Sequence, residues 1–300
     1  MRLLIAGAQG QLARAMIELA PSAEDVTAFA LGRPALDLTA PATVLGTLAD
    51  FKPDVIVNAA AYTAVDQAEV EPGAAIALNA EGPKRLAEAA ARMGAVLIHI
   101  STDQVFDGTK PGPYVEGDAT APLSAYGRSK LAGEEAVRAT APRHIILRTS
   151  WVYSPFGTNF VINMLRLARQ RAEVRVVNDQ TGNPTYAPHL AEAILGIARA
   201  VTAGPPSSVW GTYHAAGAGA VTWCGFAQEI MRVSAACGGA SAAVVPITTA
   251  EYPTRAKRPA NSRLDCSKLA EMFGIHLPSW QEGVAACVAR LEGSSSSAEV

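Results

Sequence analysis

The chain has 300 residues, enough to bury one large core or two smaller ones. Hydrophobic residues make up 49% and charged residues 17%, with a net charge of -2, so no broad basic field invites nucleic acid or an anionic membrane surface. No apolar run approaches membrane-spanning length, the N-terminal run is too short for a secretory segment, and Cys224, Cys237, Cys266 and Cys287 lack metal-ligand spacing, so free thiols in a reducing cytoplasm are expected.

Residues 2–6 read as a strand that runs into Gly7-Ala-Gln-Gly10-Gln11-Leu12-Ala13, with a helix predicted over 11–20. Glycines let the backbone turn tightly and approach a pyrophosphate, which then rests on the helix N-terminus. An ordinary strand-to-helix turn is the plainer reading of the same residues. A second strand is predicted over 26–31, and no carboxylate stands at its end, which reads Leu31-Gly32-Arg33. An acid there would bind a ribose 2′-hydroxyl and indicate NAD. Its absence favours NADP, with NADH still possible. Arg33 is either the partner of a 2′-phosphate or an exposed loop arginine, and Asp37 and Leu38 would flank the adenine.

A helix is predicted over 41–51 and a strand over 54–58. That strand ends in Asn58-Ala59-Ala60-Ala61-Tyr62-Thr63, whose small side chains suit either a flat cofactor lying on backbone or tight packing. Asp66 and Glu69 read as part of a solvated helical turn. A helix over 73–93 and a strand over 95–100 lead to Ser101-Thr102-Asp103, at the carboxyl end of a strand, where active sites of doubly wound sheets gather. The next predicted helix, 124–140, carries Tyr126 and Lys130 one turn apart on one face. The spacing recurs by chance on solvated helices. Beside Thr102 it predicts a phenol whose pKa is lowered by the neighbouring cation, as a general acid near neutral pH requires. A strand over 143–148 then leads to Thr149-Ser150-Trp151, where the indole would stack on a sugar or base, or pack in the core.

Alternating strands and helices predict an α/β fold, a doubly wound parallel sheet of Rossmann type with right-handed crossovers. Beyond Trp151, helices are predicted near 158–171, 187–203, 222–236 and 279–292, and strands near 174–177, 212–215 and 243–247. The division expected is a dinucleotide-binding domain over 1–150, with contributions from about 170–215, and a smaller mixed α/β substrate domain over 151–292. Strand 174–177 is a candidate extension of the first sheet, and 293–300 a disordered tail. Asn178–Thr185 is too polar for core. Arg255, Lys257, Arg258 and Arg263 concentrate positive charge in a sparsely charged chain, fitting a diphosphate or a solvated basic loop. His144, His189, His214 and His276 show no ligand spacing, and no metal site is expected.

Seven stretches together carry a family resemblance over almost the whole chain: Gly7-x-x-Gly10, Asn58–Asp66, Ser101–Gly108, Tyr126-x-x-x-Lys130, Arg148–Tyr153, Asn178-Asp-Gln180 and Arg258–Arg263. The chain resembles the extended short-chain dehydrogenase/reductase superfamily and, within it, the dTDP-4-dehydrorhamnose reductases. The resemblance implies reduction of the C4 keto group of dTDP-4-dehydro-β-L-rhamnose to dTDP-L-rhamnose with hydride from NADPH, the last step of dTDP-rhamnose synthesis. It makes Tyr126 the proton donor, Thr102 the hydrogen-bond donor to the developing alkoxide, and Lys130 the holder of the nicotinamide ribose. It implies cofactor contacts from Gly7, Gly10, Gln11, Leu12, Arg33, Asp37, Leu38, Ala59, Ala60, Ala61, Thr63, Asn79 and Ser101, besides Tyr126 and Lys130. Substrate contacts would come from Thr102, Asp103, Gln104, Trp151, Asn178, Gln180, Arg258 and Arg263.

The chain departs from the family at Gln104, where some members carry Tyr. It also lacks, over 13–16 of the first helix, the Glu that bridges metal-linked dimers in some members, so a homodimer is compatible but a metal-bridged one is disfavoured. Two alternatives share the scaffold: a nucleotide-sugar epimerase or dehydratase, and a non-catalytic subunit like the regulatory subunit of methionine adenosyltransferase. Gln104 following Asp103 disfavours the dehydratase, and the intact Thr102, Tyr126 and Lys130 set argues against lost catalysis.

Overall fold

The computed structural model describes residues 1–296. Its first half comprises β1 (Arg2–Ala6), α1 (Gln11–Leu19), β2 (Thr27–Leu31), α2 (Pro41–Phe51), β3 (Val55–Asn58), α3 (Val65–Ala68), α4 (Pro72–Ile76), α5 (Gly82–Met93), β4 (Val96–Thr102), α6 (Ala125–Thr140) and β5 (His144–Thr149). The second half adds β6 (Val152–Tyr153), α7 (Phe160–Ala168), β7 (Glu173–Val177), β8 (Thr181–Gly182), β9 (Thr185–Tyr186), α8 (Ala187–Thr202), β10 (Gly211–His214), β11 (Val221–Thr222), α9 (Trp223–Ala236), β12 (Ala243–Ile247), α10 (Ser267–Phe273) and α11 (Trp280–Ser296).

Six strands form one parallel sheet in the order β2-β1-β3-β4-β5-β10. Its central strands are rich in apolar residues and buried along nearly their whole length because both faces are covered. Leu3 and Ile5 of β1 join the core built with α1 and α8, including Met16, Leu190 and Ile194. Leu4 and Ala6, pointing the other way, join Leu48, Leu86 and Val137 from α2, α5 and α6. A separate core, with Val161, Phe226, Ile230 and Val284, holds α7, α9 and α11 together. Among the described residues no helix is long and apolar enough to cross a membrane.

Besides the unanticipated α10 and short strands β6, β8, β9 and β11, the structure departs from the sequence reading in three ways. The 174–177 segment does not extend the main sheet; β7 pairs in parallel with β12, and β10 takes the edge beside β5. Glu173 and Arg175 of β7 are exposed while Val174 and Val176 are buried, the alternation of a strand covered on one face only. The 73–93 helix is interrupted by a π-helical turn over Ala77–Glu81. Pro83 has no N–H to donate back to Asn79, and the ladder widens there. The freed Asn79 carbonyl faces α6 at Gly133, where an added Cβ would lie 2.1 Å from that oxygen. Finally, α11 carries helical backbone through Ser296, four residues into the stretch read as tail, because propagating an established helix costs far less than starting one. Residues 297–300 lie outside the described residues.

The α6 contact generates a test. Gly133→Ala favours the helix intrinsically yet forces backbone apart, so it should lower stability by about 1–3 kcal/mol, the usual cost of overpacking. Thermal unfolding measures it, and an unchanged or raised Tm would show that the π turn and α6 have room to spare.

Candidate active site

A cleft of about 1330 Å³ opens beyond the carboxyl ends of β1, β3 and β4, facing the second lobe. It lies where the chain order reverses between β1 and β3, the switch point at which such sheets take ligands. Gly7 leaves β1 at φ 107°, and a Cβ there would stand 2.9 Å from the backbone N of Ala60. Only glycine permits both the turn and this approach. Gly10 caps α1 with no side-chain hydrogen bond, which leaves the helix N-terminus open to an anion. Gly7, Gly10, Gln11 and Leu12 all line the cleft. The Gln11 side chain is already engaged: its Oε1 accepts from Ser154 Oγ at 2.8 Å and Asn159 Nδ2 at 2.9 Å. What Gln11 offers the cleft is therefore its backbone N–H.

Arg33, Asp37 and Leu38 line the far end of the cleft, and Ala59, Ala60, Ala61 and Thr63 one wall. Arg33 is exposed. The Asp37 carboxylate is turned into its own loop, Oδ1 accepting from Thr39 N at 2.9 Å and Thr39 Oγ1 at 2.7 Å. These bonds, with the Arg33 charge, hold its pKa below the ordinary value. Asn79 lies behind the wall rather than on it. It is fully buried, its Oδ1 accepts from Tyr62 N at 2.8 Å, and its Nδ2 donates to Ser129 Oγ at 2.9 Å. The π turn directs it inward, so it shapes the 59–63 wall without reaching the cleft.

Ser101, Thr102, Asp103, Tyr126 and Lys130 meet at the centre of the cleft. Thr102 ends β4 and caps the next turn, its Oγ1 accepting from Gln104 N at 3.2 Å and donating to Asp103 Oδ1 at 3.0 Å. Ser124 caps α6 by accepting from Gly127 N at 3.0 Å. A Cβ on Gly127 would come within 2.3 Å of the Gln104 carbonyl, so this glycine lets the first turn of α6 seat against the Thr102 corner. The Tyr126 side chain enters the cleft beside Thr102. Lys130 is buried and its Nζ donates to the Ile100 carbonyl at 2.6 Å.

Burial pushes the Tyr126 phenol up to about 12, against the pull of Thr102 and with a further push from Asp103. The lowered pKa expected from the Tyr/Lys spacing is thus reversed. The phenolate is poorly solvated here, and the Lys130 ammonium is drawn to Ile100. Burial likewise lowers Lys130 to about 8, with Glu134 opposing the shift. Asp103 is raised by burial, against the pull of the nearby Ser262, Thr102 and Ser150 hydroxyls.

On the opposite side stand Gln104, Trp151, Gln180 and Arg258. Trp151 adopts φ 45°, an unusual backbone for a bulky residue, and its indole stacks on Trp223 at 3.5 Å between ring centroids and 8° between planes. A Cβ on Gly182 would come 2.6 Å from the Trp151 ring, so this glycine makes room for it. Arg258 is paired with Asp66 of α3, Nη2 to Oδ2 at 2.9 Å. The remaining predicted contacts fall elsewhere. Asn178 is exposed and its Oδ1 accepts from Thr222 Oγ1 at 2.7 Å. Arg263 donates to Asn261 Oδ1 at 2.8 Å and to the Pro111 carbonyl. Arg255, Lys257 and Arg263 do not line the cleft, so the basic loop contributes Arg258 to it. Trp223, Tyr62, Thr158 and Ser262 line it without having been anticipated. Ser262 lay inside a stretch already singled out, whereas nothing local marks Trp223.

Residues 1–292 match the model of the family described as RmlD substrate binding domain. A dTDP-4-dehydrorhamnose reductase of Sinorhizobium fredii is 50% identical over 282 residues, 94% of this chain and 95% of that protein. Among solved structures, a dTDP-4-dehydrorhamnose reductase of Clostridium acetobutylicum is 37% identical with a TM-score of 0.90, covering 97% of this chain and 100% of that one. The Bacillus anthracis dTDP-4-dehydrorhamnose reductase, solved in complex with NADP, is 36% identical with a TM-score of 0.88, covering 96% and 99%. The chain belongs to the dTDP-4-dehydrorhamnose reductase family.

Proposed function

We infer that this protein reduces the 4-keto group of dTDP-4-dehydrorhamnose to give dTDP-rhamnose, with NADPH as reductant. The observation that carries the reading is the meeting of Thr102, Tyr126 and Lys130 beside a glycine cradle at the switch point, in a chain of this family. The cradle fits a dinucleotide: Gly7 and Gly10 leave room for a diphosphate at an uncapped helix N-terminus. The end of β2 fits the phosphorylated form, since it offers the Arg33 cation and an Asp37 whose Oδ1 is turned to Thr39. The diphosphate would be held by Gly7, Gly10 and the backbone of Gln11 and Leu12, and the 2′-phosphate by Arg33. Leu38 and Asp37 would flank the adenine, Ala59–Ala61, Thr63 and Ser101 the middle of the molecule, and Lys130 the nicotinamide ribose. When bound, NADPH supplies the hydride.

The rest is done by the protein. The Thr102 hydroxyl donates a hydrogen bond to the keto oxygen as negative charge develops on it. Tyr126 delivers the proton to that oxygen. A phenol near 12 is fully protonated at neutral pH, and an alkoxide is a stronger base than a phenolate, so the transfer runs downhill without a lowered pKa. The Lys130 ammonium offsets the charge then left on the phenolate. Trp151, backed by Trp223, offers a flat face to the deoxysugar, and Asp103, Gln104 and Gln180 offer it polar contacts. Arg258 meets the diphosphate in exchange for Asp66.

A cytoplasmic location agrees with the four unpaired cysteines. A homodimer, where one forms, would lack a metal bridge, since positions 13–16 of α1 carry no carboxylate and Glu18 is paired with Arg290.

Incubation with dTDP-4-dehydrorhamnose and NADPH should consume the cofactor stoichiometrically and yield dTDP-rhamnose. A changed sugar without loss of NADPH absorbance would point instead to an epimerase. Tyr126→Phe should lower kcat by about 10²–10⁴-fold, the weight of a positioned general acid, while leaving NADPH binding nearly intact. Near-full activity in that variant would remove Tyr126 from the mechanism. Arg33→Ala should raise KM for NADPH about fivefold relative to NADH, ~1 kcal/mol for an exposed charged contact. Equal effects on the two cofactors would mean that Arg33 does not meet the 2′-phosphate.

A further inference from the structure

Behind Lys130 lies a cluster of charges sealed from solvent. Glu134 follows Lys130 by one helical turn on α6, so both side chains leave the same face toward β4. Glu134 is fully buried, and Arg148 of β5 is only 2% exposed. The Glu134 Oε1 accepts from Ser101 Oγ at 2.5 Å and from Arg148 Nε at 2.9 Å. Its Oε2 accepts from Arg148 Nη2 at 2.7 Å and from Arg138 Nη2. Arg148 stands directly opposite Ser101 in the β4–β5 register. These bonds converge on the corner that carries the reacting groups: Ser101 precedes Thr102, and the Ile100 carbonyl receives Lys130.

A buried ion pair of this kind contributes little to stability compared with apolar side chains of similar volume. Its retention beneath the active site calls for another account. Arg138 and Arg148 share this one carboxylate, which lies one helical turn beyond Lys130. His99, facing the same space from β4, is held neutral by burial and by the Lys130 and Arg138 charges. On the Tyr126 side the next charge is Asp103, beyond Thr102. Burial opposes ionisation of Glu134, yet Arg148, Ser101 and Arg138 together keep its pKa below the ordinary value.

We propose that Glu134 is a positioning residue for the reduction: bound to Ser101 and Arg148, it fixes Lys130 against β4 and supplies the negative charge that keeps it an ammonium, while Arg138 offsets part of that charge from the helix surface. The proposal rests on Lys130 serving the reaction. The sign of each perturbation follows from geometry. Without the carboxylate, the Arg148 and Arg138 charges one turn away are left uncompensated, and Lys130 loses its proton at lower pH. Without Arg138, more of the Glu134 charge reaches Lys130, which then keeps its proton to higher pH. The Arg138 side chain is 37% exposed, so its replacement spares the fold even where loss of Glu134 does not.

The test compares Glu134→Gln and Arg138→Gln in the full-length protein. The Lys130 ammonium is titrated by carbon-13 lysine NMR without cofactor, and kcat/KM for NADPH is followed against pH. The Lys130 midpoint should move down by about one unit or more in Glu134→Gln, the usual influence of a close opposite charge, and up in Arg138→Gln. The alkaline limb of kcat/KM should move in the same two directions. A purely structural role would lower Tm in both variants and move neither. An unmoved Lys130 midpoint in folded Arg138→Gln overturns the proposal and leaves the role of Lys130 in the reaction standing. A midpoint that moves while the alkaline limb stays in place overturns that role, and with it the part of Glu134 in the reduction.

Discussion

The seating of α6 against the carboxyl end of β4 decides where Thr102, Tyr126 and Lys130, the groups proposed to react, stand. Two glycines permit it, Gly127 beneath the Gln104 carbonyl and Gly133 beneath that of Asn79, each where a Cβ would intrude to near 2 Å (2.3 and 2.1 Å). Polar contacts then fix the helix in register. Ser124 caps its start, Glu69 accepts from Ala125 N at 2.7 Å, Lys130 reaches Ile100, and Glu134 takes Ser101. Helix packing set by small residues leaves little freedom to slide. Tyr126 and Thr102, from elements 24 positions apart in sequence, therefore meet without help from a ligand.

That same close seating removes water, and water sets the ionisation of both partners in the Tyr/Lys pair. Burial acts in opposite senses on an acid and a base. It lifts the phenol to about 12 and lowers the ammonium to about 8, so both neutral forms gain. In the proposed reduction this is harmless to proton donation by Tyr126, since the acceptor would be a nascent alkoxide. For Lys130 it is a hazard, because a further fall would discharge it in the physiological range. The buried Glu134 carboxylate is the group that opposes this fall, which is a reason for an ion pair to persist where hydrophobic packing would stabilise more.

Much of this arrangement was legible in the amino-acid order. The central strands are buried on both faces, so they appear as continuous apolar runs, and the glycine loop follows the first of them directly. Tyr126, Lys130 and Thr102 were readable because helix geometry and strand ends give spacing a spatial meaning. What escaped depends on long-range partners. The family resemblance implies a cofactor contact from Asn79, but the π turn at Pro83 directs it to Tyr62 and Ser129. Arg263 and Asn178 have loop partners distant in sequence, and no local pattern distinguishes them from Arg258 and Gln180. The direction of the Tyr126 shift escaped for a related reason: spacing shows that two groups are near, but not how much water lies around them.

Gln11 and the Arg258–Asp66 pair each join the lobe of the main sheet to the second lobe. At the base, Gln11 begins α1 beside the glycine loop and its side chain secures Ser154 and Asn159 from the loop leaving β6. At the mouth, Asp66 of α3 holds Arg258 and also accepts from Ala256 N at 3.0 Å. The two joints differ in how easily they yield. Gln11 is tied by several hydrogen bonds to buried partners, and releasing it would strand polar groups away from water, at about 1–3 kcal/mol each. The Arg258–Asp66 pair is partly exposed, 27% and 42%, and such a pair is worth only about 0–1 kcal/mol. A diphosphate carries more negative charge than a single carboxylate, so it can take Arg258 from Asp66 at small cost, leaving Asp66 to solvent and to the Ala256 N–H. On the proposed function, the base of the cleft would act as a fixed joint, and the mouth as the point where a nucleotide sugar is exchanged for an internal contact.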